Sequence, residues 1–149
     1  MTQSTAPVVT LTQQRDYQFE HRFAPGQPSL LADEPAPLGS GLGPDPVALL
    51  AASVGNCLAA SLLFALRKYK QQPEPLRCEL TASTGRNAEN RLRVQQIVAR
   101  LQLGKPAAEL EHLQRVLDSF EGYCTVTQTV RGAVDVVVEV YDSTGARLK

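Results

Sequence analysis

Along the chain, short period-two stretches alternate with segments of helical spacing. "VVTLTQQ" (8–14) and "YQFEHRF" (17–23) carry strand-forming residues, and Tyr17, Phe19, His21 and Phe23 share one face at period two. "PSLLADEP" predicts a third short strand ending at Pro35, and residues 34–44 have no periodic pattern and read as a loop. Asp45 and Pro46 suit an N-cap and first helical position, where proline has no N–H to waste. An apolar helix is expected from there to about Lys70, with "RKYK" placing positive charge at the negative end of its dipole. "LRCELTAST" sets Leu76, Cys78 and Leu80 on one face, and "RVQQIVARLQL" alternates through Ile97, Ala99, Leu101 and Leu103. Between them "GRNAENR" has the Gly and Asn of a hairpin connection. "PAAELEHLQRVLDSF" predicts one amphipathic helix with Leu110, Leu113, Leu117 and Phe120 as its stripe. "GYCTVTQTVRG" suggests a short helical piece and "AVDVVVEVYD" a closing strand. Three strands, a long helix, two strands, one or two helices and a last strand make an α+β fold, expected as a single domain over 1–149.

The most apolar segment, "ALLAASVGNCLAASLLFAL" (Ala48 to Leu66), is interrupted at its centre by Gly55, Asn56 and Cys57. Its length approaches the roughly 20 residues that cross a bilayer. The Pro- and Gly-rich loop before it lacks an aromatic belt, and its many alanines suit close packing under a sheet, so a buried central helix is expected. Gly55 would let another backbone or a substrate approach closely, and Asn56 would orient the thiol or bond a neighbouring carbonyl.

Composition narrows the chemistry. With 43% hydrophobic residues, 20% charged and zero formal net charge, there is no electrostatic case for nucleic acid or an anionic membrane. Arg86, Arg91 and Arg93 are diluted by Glu89 and read as a solvated loop. Three cysteines are too few for a secreted disulfide framework, and "MTQSTAPVVTLTQQRDYQFE" has no basic region followed by an apolar one. A reducing, cytoplasmic setting is therefore expected, with no membrane partner. No C-x-x-C or H-x-x-x-H spacing occurs, so no metal is expected; His112 reads as solvated and His21 as packed. There is no glycine-rich phosphate loop after a strand and no G-x-S-x-G. What remains is thiol chemistry. Cys57 and Cys124 each read as an inert small hydrophobe or as a reactive thiol, whereas Cys78, between Leu76 and Leu80, reads as core.

"LLADEPAPLGSGLGPDPVALLAASVGNCLAASL" resembles the segment of the OsmC/Ohr family (osmotically inducible protein C and organic hydroperoxide resistance protein) that enters the central helix and presents its first cysteine. "FEGYCTVTQTV" resembles the family's second cysteine segment, usually Cys-Pro-Val, and the element order matches from about Val8 to Asp142. The resemblance implies strands wrapped around a long buried central helix in an intertwined homodimer. It also implies reduction of organic hydroperoxides by Cys57 as the attacking thiol and Cys124 as the resolving one, with an external dithiol restoring both. No metal or organic cofactor is required for that chemistry. Cys57 lies several turns inside its helix, beyond the reach of the N-terminal dipole, so a cation must supply the thiolate. In the family an arginine from the loop joining the first two strands does this, and Arg15 in "TQQRDYQ" is its match here. The family's glutamate after the helix-entry proline is replaced by Val47; Glu34 is the loop carboxylate that would substitute for it. Thr125 stands where proline usually follows the second cysteine, and Tyr123 would line an apolar mouth while Phe120 packs. The leading expectation is a thiol-dependent peroxidase. The alternative is a non-enzymatic small-molecule-binding or redox-sensing dimer.

Overall fold

The computed structural model describes residues 6–149; Met1–Thr5, where the stretch read for a leader begins, lie outside the described residues. The chain divides into two units, one up to Leu49 and one from Leu50 onward.

In the first unit the alternating stretches form β1 (Thr10–Arg15), β2 (Gln18–Arg22) and β3 (Leu30–Ala32), an antiparallel sheet in that order. The register sets Leu11 opposite His21 and Phe19 opposite Ala32, so one face collects the apolar positions. The patternless loop after β3 is ordered by one side chain. The buried Asp33 carboxylate accepts the amides of Glu34, Ser40 and Leu42 and the side-chain amide of Gln18. Burial alone would raise its pKa, but these donors together hold it below the usual value.

The long helix α1 runs Pro46–Lys68. The Ala48 amide donates to Asp45 Oδ1 at 2.7 Å, which confirms the cap. The helix stops two residues short of the expected Lys70, because Lys70 itself turns left-handed at φ 59°. Its amide reaches Arg67 O at 2.9 Å, and the Gln71 amide reaches Leu66 O at 3.1 Å. That pattern normally uses glycine. By length and composition α1 is able to cross a membrane. One face is buried, through Val54, Gly55, Leu58, Ser61, Leu62, Ala65 and Leu66, while Ala52, Ser53, Asn56, Ala60 and Phe64 are exposed.

The second unit contains β4 (Arg77–Arg86), β5 (Leu92–Gln102) and β6 (Asp135–Tyr141). β4 and β5 form the expected hairpin, its turn held by Asn87 Oδ1, which accepts the amides of Glu89 and Arg91. β6 adds parallel to β5, which requires a crossover between them. Ile97, Ala99 and Leu101 align with Val136, Val138 and Val140 across the sheet and with Ala82, Leu80 and Cys78 on the other side. Apart from the exposed Ala82, their shared face joins Val54, Leu58, Leu62 and Leu66 of α1 in the hydrophobic core. The crossover corrects the single helix expected over 106–120. It forms a 3-10 turn at Ala107–Glu109 and then α2 at Leu113–Ser119, separated by His112 at φ 58°. Two contacts to the end of α1 outcompete helical continuity there. The Glu111 amide donates to Gln71 Oε1 at 3.1 Å, and the His112 ring packs 4.7 Å from the Tyr69 ring. A 3-10 turn at Phe120–Tyr123 leads into α3 (Thr125–Val130).

Candidate functional site: a thiol pair between helix and crossover

Cys57 sits mid-helix in α1 and is half-buried, while Gly55, two residues earlier and so roughly 200° round the helix, faces β4. A Cβ on Gly55 would overlap Leu80 Cδ1 and stand 2.9 Å from Cδ2. The close neighbour foreseen for Gly55 is thus a side chain of the sheet rather than a backbone. Asn56 is exposed.

Cys124 is placed by the crossover. Phe120, fully buried, anchors the turn, and the Cys124 amide donates to Glu121 O at 3.0 Å. Cys124 then occupies the N-cap of α3, with its carbonyl accepting the Gln128 amide at 3.0 Å. Its thiol donates to Thr127 Oγ1 at 3.0 Å, and both residues are fully buried. Burial pushes the Cys124 pKa up, and the adjacent Cys57 thiol pushes it further; the Thr127 hydroxyl and amide act in the opposite direction. Cys57 and Cys124 are therefore side-chain neighbours, and both are free thiols. Cys78 is also free and half-buried on β4, its pKa raised by burial and then by Glu79. It belongs to the edge of the core.

Two residues of this site were not singled out in the sequence. Thr127 lies three positions after Cys124, the N-cap-to-N3 spacing that brings two side chains together at a helix start. Glu121 braces the turn from outside: its carboxylate pairs with Arg131 and, at 2.8 Å, with Lys149 Nζ. Burial alone would raise its pKa, but these two cations bring it below the usual value. Nothing in the pattern of "FEGYC" announces that role.

The remaining expected residues are distributed differently. Arg15 ends β1 in the first unit, exposed, with Nε 3.4 Å from Asp16 Oδ2. Val47 leaves the first turn of α1 without an acidic residue, and Asp45 is engaged by the cap. Glu34 lies in the first unit beside Leu11, Tyr17, Phe19 and His21, which line an apolar cavity of about 230 Å³. Phe120 packs as expected, and Tyr123 is 62% exposed. Among the described residues no cluster of three His, Cys, Asp or Glu could hold a metal ion.

No curated protein matches the chain in sequence. Solved structures do match in fold. A Psychrobacter arcticus protein named for osmotic stress induction and detoxification response superposes with a TM-score of 0.80 at 16% identity, over 95% of this chain and 100% of that one. An OsmC-like protein of unknown function from Vibrio cholerae gives 0.74 at 20% identity, over 89% and 96%. The organic hydroperoxide resistance protein OhrB of Bacillus subtilis gives 0.68 at 16% identity, over 89% and 96%. The model of the OsmC-like protein family matches residues 39–139, a span that holds both Cys57 and Cys124. On that match and the α+β architecture it predicts, the chain belongs to the OsmC-like family.

Proposed function

We propose that the protein is a thiol-dependent peroxidase that reduces organic hydroperoxides through Cys57 and Cys124. The observation that supports this is the pair of free, adjacent thiols, one half-buried on α1 and one held at the start of α3. Peroxide reduction needs nothing more. The Cys57 thiolate attacks the terminal oxygen of the hydroperoxide, the O–O bond breaks, and the alcohol leaves after taking a proton. Cys57 is now a sulfenic acid. The Cys124 sulfur attacks it, its proton goes to the departing hydroxide, and a disulfide and water form. An external dithiol returns two electrons and two protons.

Arg15 is the proposed activating cation of Cys57. A homodimer in a reducing cytoplasmic setting belongs to the same reading. Dimerisation is supported by the exposed small residues Ala52, Ser53, Asn56 and Ala60 of α1 and by Leu11, Tyr17, Phe19 and Phe23, all exposed in the first unit. The second reading is a non-enzymatic binding or redox-sensing dimer. It is favoured by Val47, which leaves Arg15 without the first-turn carboxylate that would fix its guanidinium.

The test is exposure to one equivalent of cumene hydroperoxide, followed by alkylation and mass spectrometry. An intramolecular 57–124 disulfide with Cys78 still alkylated is expected, and Cys57→Ser should abolish peroxide consumption. Oxidation at Cys78 with the other two thiols untouched refutes the assignment. Val47→Glu separates the readings further: a faster oxidation of Cys57 that disappears in Arg15→Ala favours the enzyme, since an Arg–carboxylate fork adds geometry as well as charge. If wild type and both variants react no faster than free cysteine, the binder reading replaces it.

A further inference from the structure

A second concavity lies between the C-terminal half of α1 and the crossover, with a volume of about 270 Å³. Its apolar wall is Phe64, Ala65, Val116 and Tyr123, and its two cations are Lys68 and Arg115. Phe64 and Tyr123 are 57% and 62% exposed, unusual for rings of that size beside a core. The Lys68 ammonium stands over both, 4.7 Å from the Phe64 centroid and 5.1 Å from that of Tyr123. Such contacts orient the ammonium without neutralising it. Among the described residues neither Lys68 nor Arg115 makes an ion pair; the eight pairs present engage other cations. No carboxylate lines the concavity. Asp118, on the same helix as Arg115, is engaged by Gln114 Nε2 at 2.9 Å.

Two unpaired cations above an aromatic wall complement one kind of molecule: an anion with a compact apolar body. We propose that this concavity binds a small organic carboxylate. The carboxylate would lie between Lys68 and Arg115, with the body against Phe64, Ala65, Val116 and Tyr123. The volume is just under the roughly 300–1,000 Å³ of drug-sized sites, which suits a single ring or a short alkyl chain. An arginine and a lysine divide the work here, the guanidinium fixing the carboxylate plane and the ammonium adding a point charge. Neither cysteine lines the concavity, although Tyr123 immediately precedes Cys124, and the proposal does not rest on the peroxidase reading.

The experiment is calorimetric titration of the full chain with benzoate at low ionic strength. Saturable binding is expected, weakened about tenfold in Lys68→Gln and in Arg115→Gln, as for loss of one charge-assisted hydrogen bond. Benzyl alcohol, which lacks the charge, and acetate, which lacks the body, should each bind at least about tenfold more weakly. Arg77→Gln, which removes a cation outside the concavity, should leave the affinity unchanged. Circular dichroism of each variant reports its folding, and Tyr123→Ala supplies an independent change in the apolar wall that should also weaken binding. The proposal is overturned if wild type binds no benzoate at millimolar concentration. It is equally overturned if acetate binds as tightly as benzoate, or if folded Lys68→Gln and Arg115→Gln both bind like wild type.

Discussion

Thr127→Val tests how the second thiol is prepared. The substitution replaces a hydroxyl with a methyl of similar size at a fully buried position, so packing changes little and the hydrogen bond at 3.0 Å to Cys124 Sγ is lost. In the resting protein that bond joins two neutral groups and contributes about 0.5–1.5 kcal/mol. As Cys124 attacks a sulfenic acid, its sulfur carries negative charge, and the same hydroxyl turns to donate to it. A bond to a charged group contributes about 1.5–3 kcal/mol, so the resolving step should slow by roughly tenfold or more. The first step, attack of Cys57 on peroxide, involves no bond to Thr127 and should change by less than about twofold. Burial and the neighbouring Cys57 already push the Cys124 pKa up, and removing the opposing hydroxyl pushes it further. The rate of disulfide formation should therefore keep rising with pH beyond the ordinary thiol range near 8.5, more so in the variant. Stopped-flow mixing with cumene hydroperoxide separates the two steps when sulfenic acid is trapped with a 1,3-dione in parallel samples. Thr127→Ser, which restores the hydroxyl, should recover most of the rate. If Thr127→Val leaves the second phase unchanged, or slows both phases alike, the hydroxyl has no part in resolution.

Gly55→Ala sets a gain of about 1 kcal/mol in helix propensity against overpacking of roughly 1–3 kcal/mol at Leu80. Urea denaturation should show net destabilisation, and the double variant Gly55→Ala/Leu80→Ala should show a favourable coupling; additive effects would mean that Leu80 does not sense the new methyl. Asp142 accepts the amides of Ala107, Thr144 and Ala146 and the Thr144 hydroxyl. Its pKa falls to about 2, because the Thr144 hydroxyl and the Ala107 amide outweigh burial, with further help from the Ala146 and Thr144 amides. A folded pKa below the unfolded value gives stability that is complete above about pH 4 and is lost as pH falls through about 2. Acid titration followed by circular dichroism should show that loss in wild type and a smaller one in Asp142→Asn.

What the sequence made legible depended on whether a signal was local. The cap at Asp45 and the hairpin at Asn87 rest on side chains bonding their own backbone two to four residues away, so residue type and spacing carried them. The alternation in β4 and β5 likewise survives because one face meets the core. The parallel placement of β6 and the adjacency of Cys57 to Cys124 are long-range and have no local cause. The order of the two cysteine segments conveyed that adjacency only through the family. Thr127 was hidden in plain view, because an i+3 pair at a helix start is usually read for a hydroxyl cap, and here the cap residue is a thiol.

The two misplaced helix boundaries have a shared origin. Lys70 and His112 both adopt left-handed backbone, where a side chain costs of order 1 kcal/mol that glycine avoids. Neither residue type signals such a turn, so α1 read as longer than it is and α2 as continuous with the 3-10 turn before it. The compensation lies between the two sites. Tyr69, just before one turn, packs on His112 at the other, and Gln71, just after the first, bonds the Glu111 amide. Each break therefore makes sense only in the presence of the other, which a reading of one segment at a time misses. The pairing also has a consequence for the site. Tyr69 and His112 fix the end of α1 against the start of α2, and the concavity holding Lys68 and Arg115 opens beside that junction. Replacing His112 with a residue that continues the helix would redirect α2 and with it Arg115. The left-handed turn at His112 thus sits beside the lining that brings these two cations together, and local sequence rules fail at the place where the proposed carboxylate site lies.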